Sequence, residues 1–346
     1  MAIKIVHVGI GVRGQHWLEI VKDYPDAISV ACMDPAPAAL NKVAHDYPTL
    51  PRFSELHEAL KHVEADAAII ATPVPLHADH ALQCLEAGLA VLVEKPFAAN
   101  VQEASRVIER GDALGRPTLA AQNYRFNPAE RTLRQLLQQN HLGKISSVHC
   151  VARRYRVGKG TFLGEMDYPQ IVDVGIHHFD SLRSILGCDA VSVAARSFNP
   201  SWSDYRHGAV TEAFIEMEHD IHVQYLGTLT SHRYSFRMWI EGEHGVLWTN
   251  RHRVLFRQRG KRLFWPLRLV SVPRGDEAPY PREGTTSLLN HLRDAILEQR
   301  VPETNGRDNL RTLAIVEAGV RSDQEQREVG IDEVLAKGEE RGRGGR

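Results

Sequence analysis

Residues 3–14, IKIVHVGIGVRG, decide the fold of this chain. The first half, residues 3–8, is an apolar run with the length and composition of a buried strand. Three glycines follow at the spacing G-x-G-x-x-G: Gly9, Gly11 and Gly14. Between a strand and a helix this pattern is typical of dinucleotide-binding sites, because the glycines allow a tight turn, close approach of a pyrophosphate and close helix packing. We expect Val12 and Arg13 to lie beside the phosphates at the helix N-terminus.

An acidic residue ends the second predicted strand. Asp34 follows the apolar run at 28–33 and stands twenty positions after Gly14. A carboxylate there can accept hydrogen bonds from both ribose hydroxyls and would repel a 2′-phosphate, so the sequence favours NAD over NADP. A glycine-rich turn with an incidental aspartate is the simpler alternative, but the strand, the helix and the spacing all agree with a dinucleotide site.

The first third of the chain alternates short apolar runs with helical patterns, which predicts an α/β fold with a doubly wound parallel sheet. Five strands are expected, at residues 3–8, 28–33, 67–71, 90–93 and 118–121. Asn100 and Glu103 have the spacing of a capping box and predict a helix over residues 101–114. Gly88 and Gly115 mark helix ends.

After Gln122 the pattern changes, and we expect a second, α+β domain. Helical patterns cover residues 128–140, 171–186, 286–298 and 308–324. Strand-like runs cover residues 147–157, 212–218, 221–230, 234–241 and 262–267. Their short connections favour a large open sheet that is mainly antiparallel. We therefore predict a Rossmann domain at 1–122, a second domain at 123–336 and a flexible tail at 337–346.

Composition argues against several kinds of partner. The chain has 346 residues, of which 43% are hydrophobic and 25% charged, and its net charge of −1 does not suggest nucleic acid. The four cysteines are far apart and include no CxxC pair, which favours a reducing compartment without a disulfide framework. With no signal peptide and no apolar run long enough for a bilayer, we expect a cytoplasmic protein with no membrane partner.

The triplet Glu94-Lys95-Pro96 follows the apolar run at 90–93 and places a lysine at the sheet edge where ligands bind. The proline pushes Lys95 towards an extended backbone, so its side chain should project from that edge. Lys95 is therefore the first catalytic candidate. At the same edge Thr72, Pro73 and His77 are expected to line the cofactor, although His77 could be a helix-end residue without a ligand role.

Asp173 and His177 stand four residues apart in an apolar helical pattern, so their side chains should share one face, and Asp180 continues it. An imidazole can take a hydroxyl proton near neutral pH, and a carboxylate can orient it or hold another hydroxyl. An exposed helix face or a structural pair remains the alternative. A metal site with His80 or His178 is disfavoured because no third ligand shows a dedicated spacing, so no metal is expected.

Taken together, six motifs resemble the glucose-fructose oxidoreductase, inositol dehydrogenase and rhizopine catabolism (Gfo/Idh/MocA) family. They lie at residues 9–14, 34, 71–73, 94–96, 123–128 and 173–177, and the late helical pattern at 313–322 also resembles the closing helix of that family, so the resemblance covers most of the chain. The resemblance implies an NAD-dependent oxidoreductase that acts on a sugar or polyol, with NADP the less favoured cofactor. It also implies a homodimer or homotetramer formed through the open sheet of the second domain.

The same resemblance implies residue roles. Lys95 would contact both the nicotinamide ribose and the reacting hydroxyl, His177 would be the acid/base and Asp173 would hold the substrate, so that Lys95 and His177 act on one alcohol. Further cofactor contacts are implied for Glu94 and Gln122, and further substrate contacts for Tyr124 and Arg125. One stretch departs from the family pattern: residues 166–170, MDYPQ, replace a glycine run and should reshape the pocket wall.

The substrate and the reaction stay open on the sequence alone. Strand alternation places Arg154 and Arg156 on one face and Arg153 and Tyr155 on the other. Guanidinium groups could pair with an acidic sugar, but a solvated or subunit-facing sheet edge is the alternative. Two other functions also remain: cleavage of a glycosidic bond through transient oxidation, and a non-catalytic sensor that binds a dinucleotide.

Overall fold

The computed structural model describes residues 2–260, 268–272 and 284–336. These residues form two compact units, one made of residues 2–123 and 284–310 and the other of residues 124–260, 268–272 and 311–336. The predicted limits of the two domains, 1–122 and 123–336, stay a prediction. The predicted strand at 262–267 and the predicted tail at 337–346 lie outside the described residues.

A parallel sheet forms the centre of the first unit. Its strands are β1 (Ile3–Val8), β2 (Ala27–Met33), β3 (Arg52–Phe53), β4 (Ala67–Ile70), β5 (Ala90–Val93) and β6 (Thr118–Ala120). They lie in the order β3-β2-β1-β4-β5-β6, and every pairing is parallel. The predicted doubly wound sheet is confirmed. The order reverses between β1 and β4, and ligands of such sheets bind outside the strand ends at this point.

The helices that correspond to the predicted ranges 101–114, 128–140, 286–298 and 308–324 begin and end within two residues of them. The described α-helices are α1 (Val12–Lys22), α2 (Pro37–Asp46), α3 (Leu56–His62), α4 (His77–Glu86), α5 (Val101–Leu114), α6 (Pro128–Gln138), α7 (Phe162–Glu165), α8 (Ile176–Leu186), α9 (Thr285–Leu297) and α10 (Gly306–Glu325). At the start of α5 the side chain of Asn100 accepts a hydrogen bond from the N–H of Glu103 at 2.9 Å, which confirms the capping box. Gly115 ends this helix in the left-handed region, with φ 62°. Within the described ranges, none of the helices is long and apolar enough to cross a membrane.

A hydrophobic cluster supports the turn between β1 and α1. Its buried members are Ile10, Leu18, Cys32, Val43 and Leu50. They come from the turn itself, from α1 and α2, from β2 and from the segment before β3. Packing of this kind fixes the turn against the sheet, so the glycine pattern is presented on a rigid base.

The second unit contains a mixed sheet. Its described strands are β7 (Ile145–Tyr155), β8 (Ala190–Phe198), β9 (Val210–Met217), β10 (Ile221–Thr228), β11 (Thr230–Gly242), β12 (Gly245–Thr249), β13 (Val254–Gln258), β14 (Arg268–Val270) and β15 (Val329–Gly330). They lie in the order β14-β13-β12-β11-β7-β10-β9-β8-β15. Of these pairings only β7 with β10 is parallel, so the expected, mainly antiparallel sheet is confirmed.

The helix predicted at 171–186 is two helices of different kinds. A π-helix, Gln170–Gly175, runs directly into α8. It packs on β9 and β10 above a buried cluster that contains Val174, Tyr205 and Leu229. Single π-turns within helices are frequent at functional sites because they widen the turn locally. Asp173 therefore lies in a wide turn, while His177 lies at the start of a regular helix.

Candidate active site

Each of the three glycines in the first motif is required for a different reason. Gly9 has φ +87°, and a Cβ on it would lie 2.7 Å from Cγ2 of Thr72. A Cβ on Gly14 would lie 2.0 Å from the carbonyl oxygen of Gly9, so this glycine is required for packing of α1 against the turn. A Cβ on Gly11 would meet nothing within 4 Å. The space at Gly11 is therefore not needed for packing and fits a ligand at the helix N-terminus.

Asp34 is fixed beside this glycine turn. Its Oδ2 accepts a hydrogen bond from the backbone N–H of Ile10 at 2.7 Å, and its Oδ1 accepts one from the N–H of Ala36 at 2.9 Å. A carboxylate has about four acceptor positions, so two bonds leave capacity for hydroxyl groups of a ribose. The turn and the carboxylate together fit a dinucleotide.

Arg13 and Glu94, both predicted to contact the cofactor, form an ion pair with each other. Oε1 of Glu94 accepts from Nε of Arg13 and, at 2.7 Å, from Nε1 of Trp17. The backbone N–H of Lys95 lies 3.3 Å from the other carboxylate oxygen. Buried Glu94 therefore connects the start of α1 to the end of β5, next to the catalytic candidate. Sequence reasoning missed Trp17, because an aromatic residue on a helix usually indicates core packing.

His77 connects two of the loops at the sheet edge. It is 1% exposed, with Nδ1 2.7 Å from the carbonyl oxygen of Pro96 and Nε2 2.8 Å from that of Thr72. Burial lowers the pKa of His77, although the two carbonyl contacts act in the opposite direction. The ring holds the loop after β4 against the segment that carries Lys95, while Pro73 is exposed.

Gln122 follows β6 at the same edge and is fully buried. In the part of the chain that the structure describes, neither its amide nitrogen nor its amide oxygen has a hydrogen-bond partner. Unsatisfied buried polar groups are rare in folded proteins and often indicate a missing ligand or water. The C-terminal strand ends of the first sheet thus place five predicted residues along one edge: Gly9, Asp34, Thr72, Lys95 and Gln122.

The second unit brings together Asp173, His177, Tyr124 and Arg156. The side chain of Asp173 is 18% exposed, and its Oδ2 accepts a hydrogen bond from Nη1 of Arg156 at 3.2 Å. The ring of His177 stacks on that of Tyr124, with centroids 4.2 Å apart and an angle of 19° between the planes. The predicted carboxylate and imidazole stand four residues apart where the π-helix runs into α8, and Tyr124 supports the imidazole through its ring face.

A stack of side chains continues behind Tyr124. The guanidinium of Arg251 lies between two rings, 4.0 Å from the centroid of Tyr124 and 4.1 Å from that of Phe236. Its Nε is 3.1 Å from Oε1 of Glu130, and the two side chains are 8% and 4% exposed. Arg251 occupies the turn between β12 and β13 in the left-handed region, with φ 72°. Sequence reasoning missed it, because residues 250–253 have the composition of an ordinary polar turn.

The arginines of β7 follow the predicted alternation. Arg154 and Arg156 lie on the face that carries Tyr124 and Asp173, and Nη2 of Arg154 donates a hydrogen bond to the hydroxyl of Tyr124 at 2.9 Å. Arg153 and Tyr155 are exposed on the other face. The exposure of Arg153 and Tyr155 and the contacts of Arg154 and Arg156 agree with the predicted alternation along β7.

Asp180 is bound by residues of the protein interior. It is fully buried and accepts hydrogen bonds from Nε and Nη2 of Arg125, both at 2.6 Å. The hydroxyl of Thr312 donates to the same carboxylate at 2.9 Å. Asp180 is therefore a buried structural partner of Arg125, and its place on the face of Asp173 and His177 stays a prediction. Arg125, which was predicted to contact substrate, uses two of its donors to hold α8.

The neighbouring His178 is distinct from His177. It is fully enclosed, and its Nδ1 lies 2.7 Å from the hydroxyl of Tyr225, which also accepts a hydrogen bond from Gln170. Burial, together with the positive charges of Arg251 and Arg154, lowers the pKa of His178 well below its ordinary value. Of the two adjacent histidines, only His177 is partly exposed. Among the described side chains, no group of three or more His, Cys, Asp or Glu residues is arranged to hold a metal ion.

Two family profiles match the chain. Residues 3–120 match the oxidoreductase family with the NAD-binding Rossmann fold, and residues 131–248 match the GFO/IDH/MocA C-terminal domain. The chain belongs to the Gfo/Idh/MocA family. The resemblance inferred from the sequence motifs is confirmed, and so is the assignment of the first unit to an NAD-binding Rossmann fold.

Two curated relatives share about a quarter of their aligned residues with this chain. The uncharacterized protein y4oX of Sinorhizobium fredii is 23% identical, and the match spans 97% of each chain. The inositol 2-dehydrogenase of Corynebacterium glutamicum is 25% identical over 216 residues, which are 62% of this chain and 62% of that protein. This chain therefore matches about three-fifths of the length of that dehydrogenase.

Solved structures confirm the fold over nearly the whole chain. An oxidoreductase from Agrobacterium radiobacter, in complex with NAD+, L-tartaric acid and magnesium, has a TM-score of 0.87 at 21% identity and covers 96% of this chain and 99% of its own. The WlbA dehydrogenase from Bordetella pertussis, in complex with NADH and UDP-GlcNAcA, has a TM-score of 0.81 at 20% identity, with coverage of 95% and 99%. At these identities the likeness establishes the fold alone.

Proposed function

We propose that this protein is an NAD-dependent dehydrogenase that oxidises a secondary alcohol of a sugar, an inositol or a related polyol. The observation that carries the proposal is the cluster in the second unit, where a partly exposed imidazole is supported by Tyr124 and lies one helical turn from Asp173. Such a pair can remove a hydroxyl proton and hold a polyhydroxylated substrate. The proposal is also supported by membership of a family of NAD-binding oxidoreductases.

The residues that would hold the dinucleotide lie at the edge of the first sheet. The turn at Gly9, Gly11 and Gly14 would face the pyrophosphate together with Val12 and Arg13, and Asp34 would accept hydrogen bonds from the ribose. The rest of the dinucleotide site would be formed by Thr72, Pro73, His77, Glu94 and Gln122. When bound, the nicotinamide supplies the hydride acceptor.

Three residues would do the remaining chemistry. His177 takes the hydroxyl proton of the substrate, while the ammonium of Lys95 stabilises negative charge that develops on the alcohol oxygen. Asp173 accepts a hydrogen bond from a second hydroxyl and so orients the substrate. The carbinol carbon loses its hydrogen with two electrons, so each turnover yields one ketone, one reduced nicotinamide and one proton. Tyr124 fixes the ring of His177, and Arg125 fixes α8 through Asp180.

A reduction assay tests this proposal. Purified protein is incubated with NAD and with neutral sugars, inositols and sugar acids, and NADH and ketone are measured together. We expect one NADH for each ketone, with activity lost in His177→Asn and retained in His252→Asn, an exposed histidine of the same unit. Glycoside cleavage without net NADH would instead indicate transient oxidation, and failure of every compound to reduce NAD would refute the dehydrogenase.

The preference for NAD over NADP is assigned to Asp34. Asp34→Ala removes both the ribose acceptor and the charge that would repel a 2′-phosphate, so NAD should bind about tenfold or more weakly and the preference over NADP should narrow. Asp34→Asn removes the negative charge but keeps an oxygen that can accept a hydrogen bond from the N–H of Ile10 or Ala36. Comparison of the two variants therefore distinguishes the effect of the charge from the effect of the hydrogen bonds that support the turn. Calorimetric titration with both cofactors measures the change. Unchanged dissociation constants for both would contradict the assignment.

We also propose that the protein self-associates through the outer face of the second sheet. Phe198 and Phe214 are about half-exposed there, and a cavity of about 740 Å³ is lined by strands β7 to β10 and by the end of α10. Exposed apolar surface of this kind often marks an interface. Light scattering should give a dimer or tetramer that Phe214→Glu dissociates, and a monomer at micromolar concentration would contradict it.

A further inference from the structure

Arg154 is a partly buried cation beside the acid/base candidate. Its contacts are with phenol rings: Nη2 donates to the hydroxyl of Tyr124, and the guanidinium carbon lies 5.5 Å from the ring centroid of Tyr234. In residues 2–260, 268–272 and 284–336, no carboxylate lies within ion-pair distance of it. Its positive charge is therefore not balanced by a carboxylate of that part of the chain.

The other arginines of this cluster differ in this respect. Arg125 pairs with Asp180, Arg156 with Asp173 and Arg251 with Glu130. A charge that is partly removed from water costs free energy unless an opposite charge or several hydrogen bonds compensate for it. The two neutral phenol rings compensate for only part of this cost at Arg154. A bound anion would therefore stabilise the guanidinium charge.

Tyr124 sets the position of this cation relative to the proposed chemistry. Its hydroxyl accepts the hydrogen bond from Arg154, and its ring face carries the imidazole of His177. The guanidinium and the imidazole are therefore separated by about one phenol ring. A single molecule of hexose size can present an alcohol to His177 and a carboxylate to Arg154.

We propose that Arg154 binds a carboxylate of the substrate, so that the preferred substrate is an acidic sugar or polyol, such as a hexuronate, rather than its neutral counterpart. The inference rests on the proposed function, because it takes His177 to be the acid/base. A guanidinium suits this task because its planar donors match the two oxygens of a carboxylate. Arg156 lies on the same face but already binds Asp173, so Arg154 carries the recognition.

The competing explanation is that Arg154 only holds Tyr124 in place. Both explanations predict a defect when Arg154 is replaced, but they differ in its substrate dependence. Loss of support for Tyr124 would impair neutral and acidic substrates alike, because His177 would be misplaced for both. Loss of a carboxylate contact impairs only the acidic member of a matched pair.

The test uses two such pairs, D-glucose with D-glucuronate and D-galactose with D-galacturonate, and measures kcat and KM for NAD reduction. The wild-type protein should prefer the uronates. Arg154→Gln should lower kcat/KM for the uronates about tenfold to a hundredfold, mainly through KM, and change the neutral sugars little. For the uronates, Arg154→Lys should have a kcat/KM between those of the wild type and Arg154→Gln. Arg153→Gln removes the same charge from the opposite face of β7 and should behave like the wild type.

Preference for the neutral sugars, equal losses for both members of a pair, or uronate activity unaffected by Arg154→Gln would overturn the inference. Failure of the dehydrogenase proposal is distinguishable from this. If no sugar reduces NAD, D-glucuronate and D-galacturonate are titrated calorimetrically into NAD-saturated protein. If the uronates bind, and binding is abolished by Arg154→Gln but preserved by Arg153→Gln, the anion site at Arg154 is supported although the dehydrogenase proposal has failed. The absence of binding, or binding that does not depend on Arg154, would overturn it.

Discussion

The two units hold their candidate catalytic groups in different ways. Lys95 takes its position from the backbone, because only Glu94 separates it from β5, its N–H lies near the carboxylate of Glu94 and a proline comes next. His177 takes its position from side chains, because Tyr124 stacks on its ring and Arg251 stacks behind Tyr124. The first arrangement is local in sequence, while the second brings together residues from separate elements.

This difference has a physical consequence. The backbone of Lys95 is held by the sheet, and the buried side chains of Glu94 and His77 fix the segment around it. A ring held by stacked side chains depends on each member of the stack, since aromatic and cation–π contacts contribute modest free energies individually. Substitution of Lys95 itself should therefore act mainly on chemistry, whereas substitutions behind His177 should act on both stability and chemistry.

The largest effect is expected for Lys95→Ala. We expect kcat to fall about 100-fold or more, because the charge that stabilises the developing alkoxide is lost, while binding of NAD largely survives. Steady-state kinetics and calorimetric titration with NAD measure the two quantities. Lys61→Ala, at an exposed lysine of α3, is the matched control. A turnover number near that of the wild type would refute the role of Lys95.

Arg251→Met tests the dependence of the second unit on its stack. The substitution leaves Glu130 buried without this cation, so the free energy of unfolding should fall by about 3 kcal/mol. It also removes the planar support of Tyr124, so kcat should fall about tenfold while NAD binding is unchanged. Chemical denaturation and steady-state kinetics measure both effects.

Two further variants separate the structural and functional parts of that prediction. Adding Glu130→Gln to Arg251→Met should recover part of the lost stability but not the lost kcat, because the carboxylate is neutralised while the stack stays broken. Arg253→Met, at an exposed residue of the same turn, should change neither quantity. If kcat recovers together with stability, the stack has no role in positioning His177.

A pair of variants at the glycine turn sharpens the contrast between structural and ligand space in the first unit. Gly14→Ala should cost about 1–3 kcal/mol of stability, because its Cβ would overlap the carbonyl oxygen of Gly9, and NAD binding should weaken with it. Gly11→Ala should keep the wild-type melting temperature and lose NAD affinity, since only ligand space is filled. Normal NAD affinity of Gly11→Ala would show that the turn does not hold the pyrophosphate.

The parts that the sequence predicted well are those controlled by local rules. The limits of β1 and β5 agree with the predicted runs because apolar residues are bounded there by glycine and by Glu94-Lys95-Pro96. The helix α5 agrees because Asn100 and Gly115 fix its two ends. The two-residue strand β3 escaped prediction because it is too short to show a period.

The remaining parts depend on contacts between residues that are distant in sequence. The partner of Asp180 is an arginine 55 residues earlier, and nothing in the local pattern selects it. The π-helix before α8 has the same apolar spacing as a regular helix, so periodicity could not reveal it. Arg251 reaches its stack from a turn whose composition indicates only a surface loop. Long-range pairing of side chains, rather than local propensity, decided these features.

The proposed dehydrogenase requires that Lys95 and His177 take part in the same proton and hydride transfer. A double-mutant cycle on kcat tests this directly, with Lys95→Met, His177→Asn and the combined variant measured on one substrate. If the two groups act together, the combined variant should be scarcely slower than the slower single variant, because each loss already disables the shared step. If the two losses multiply, Lys95 and His177 act independently, and their joint role in the transfer is contradicted.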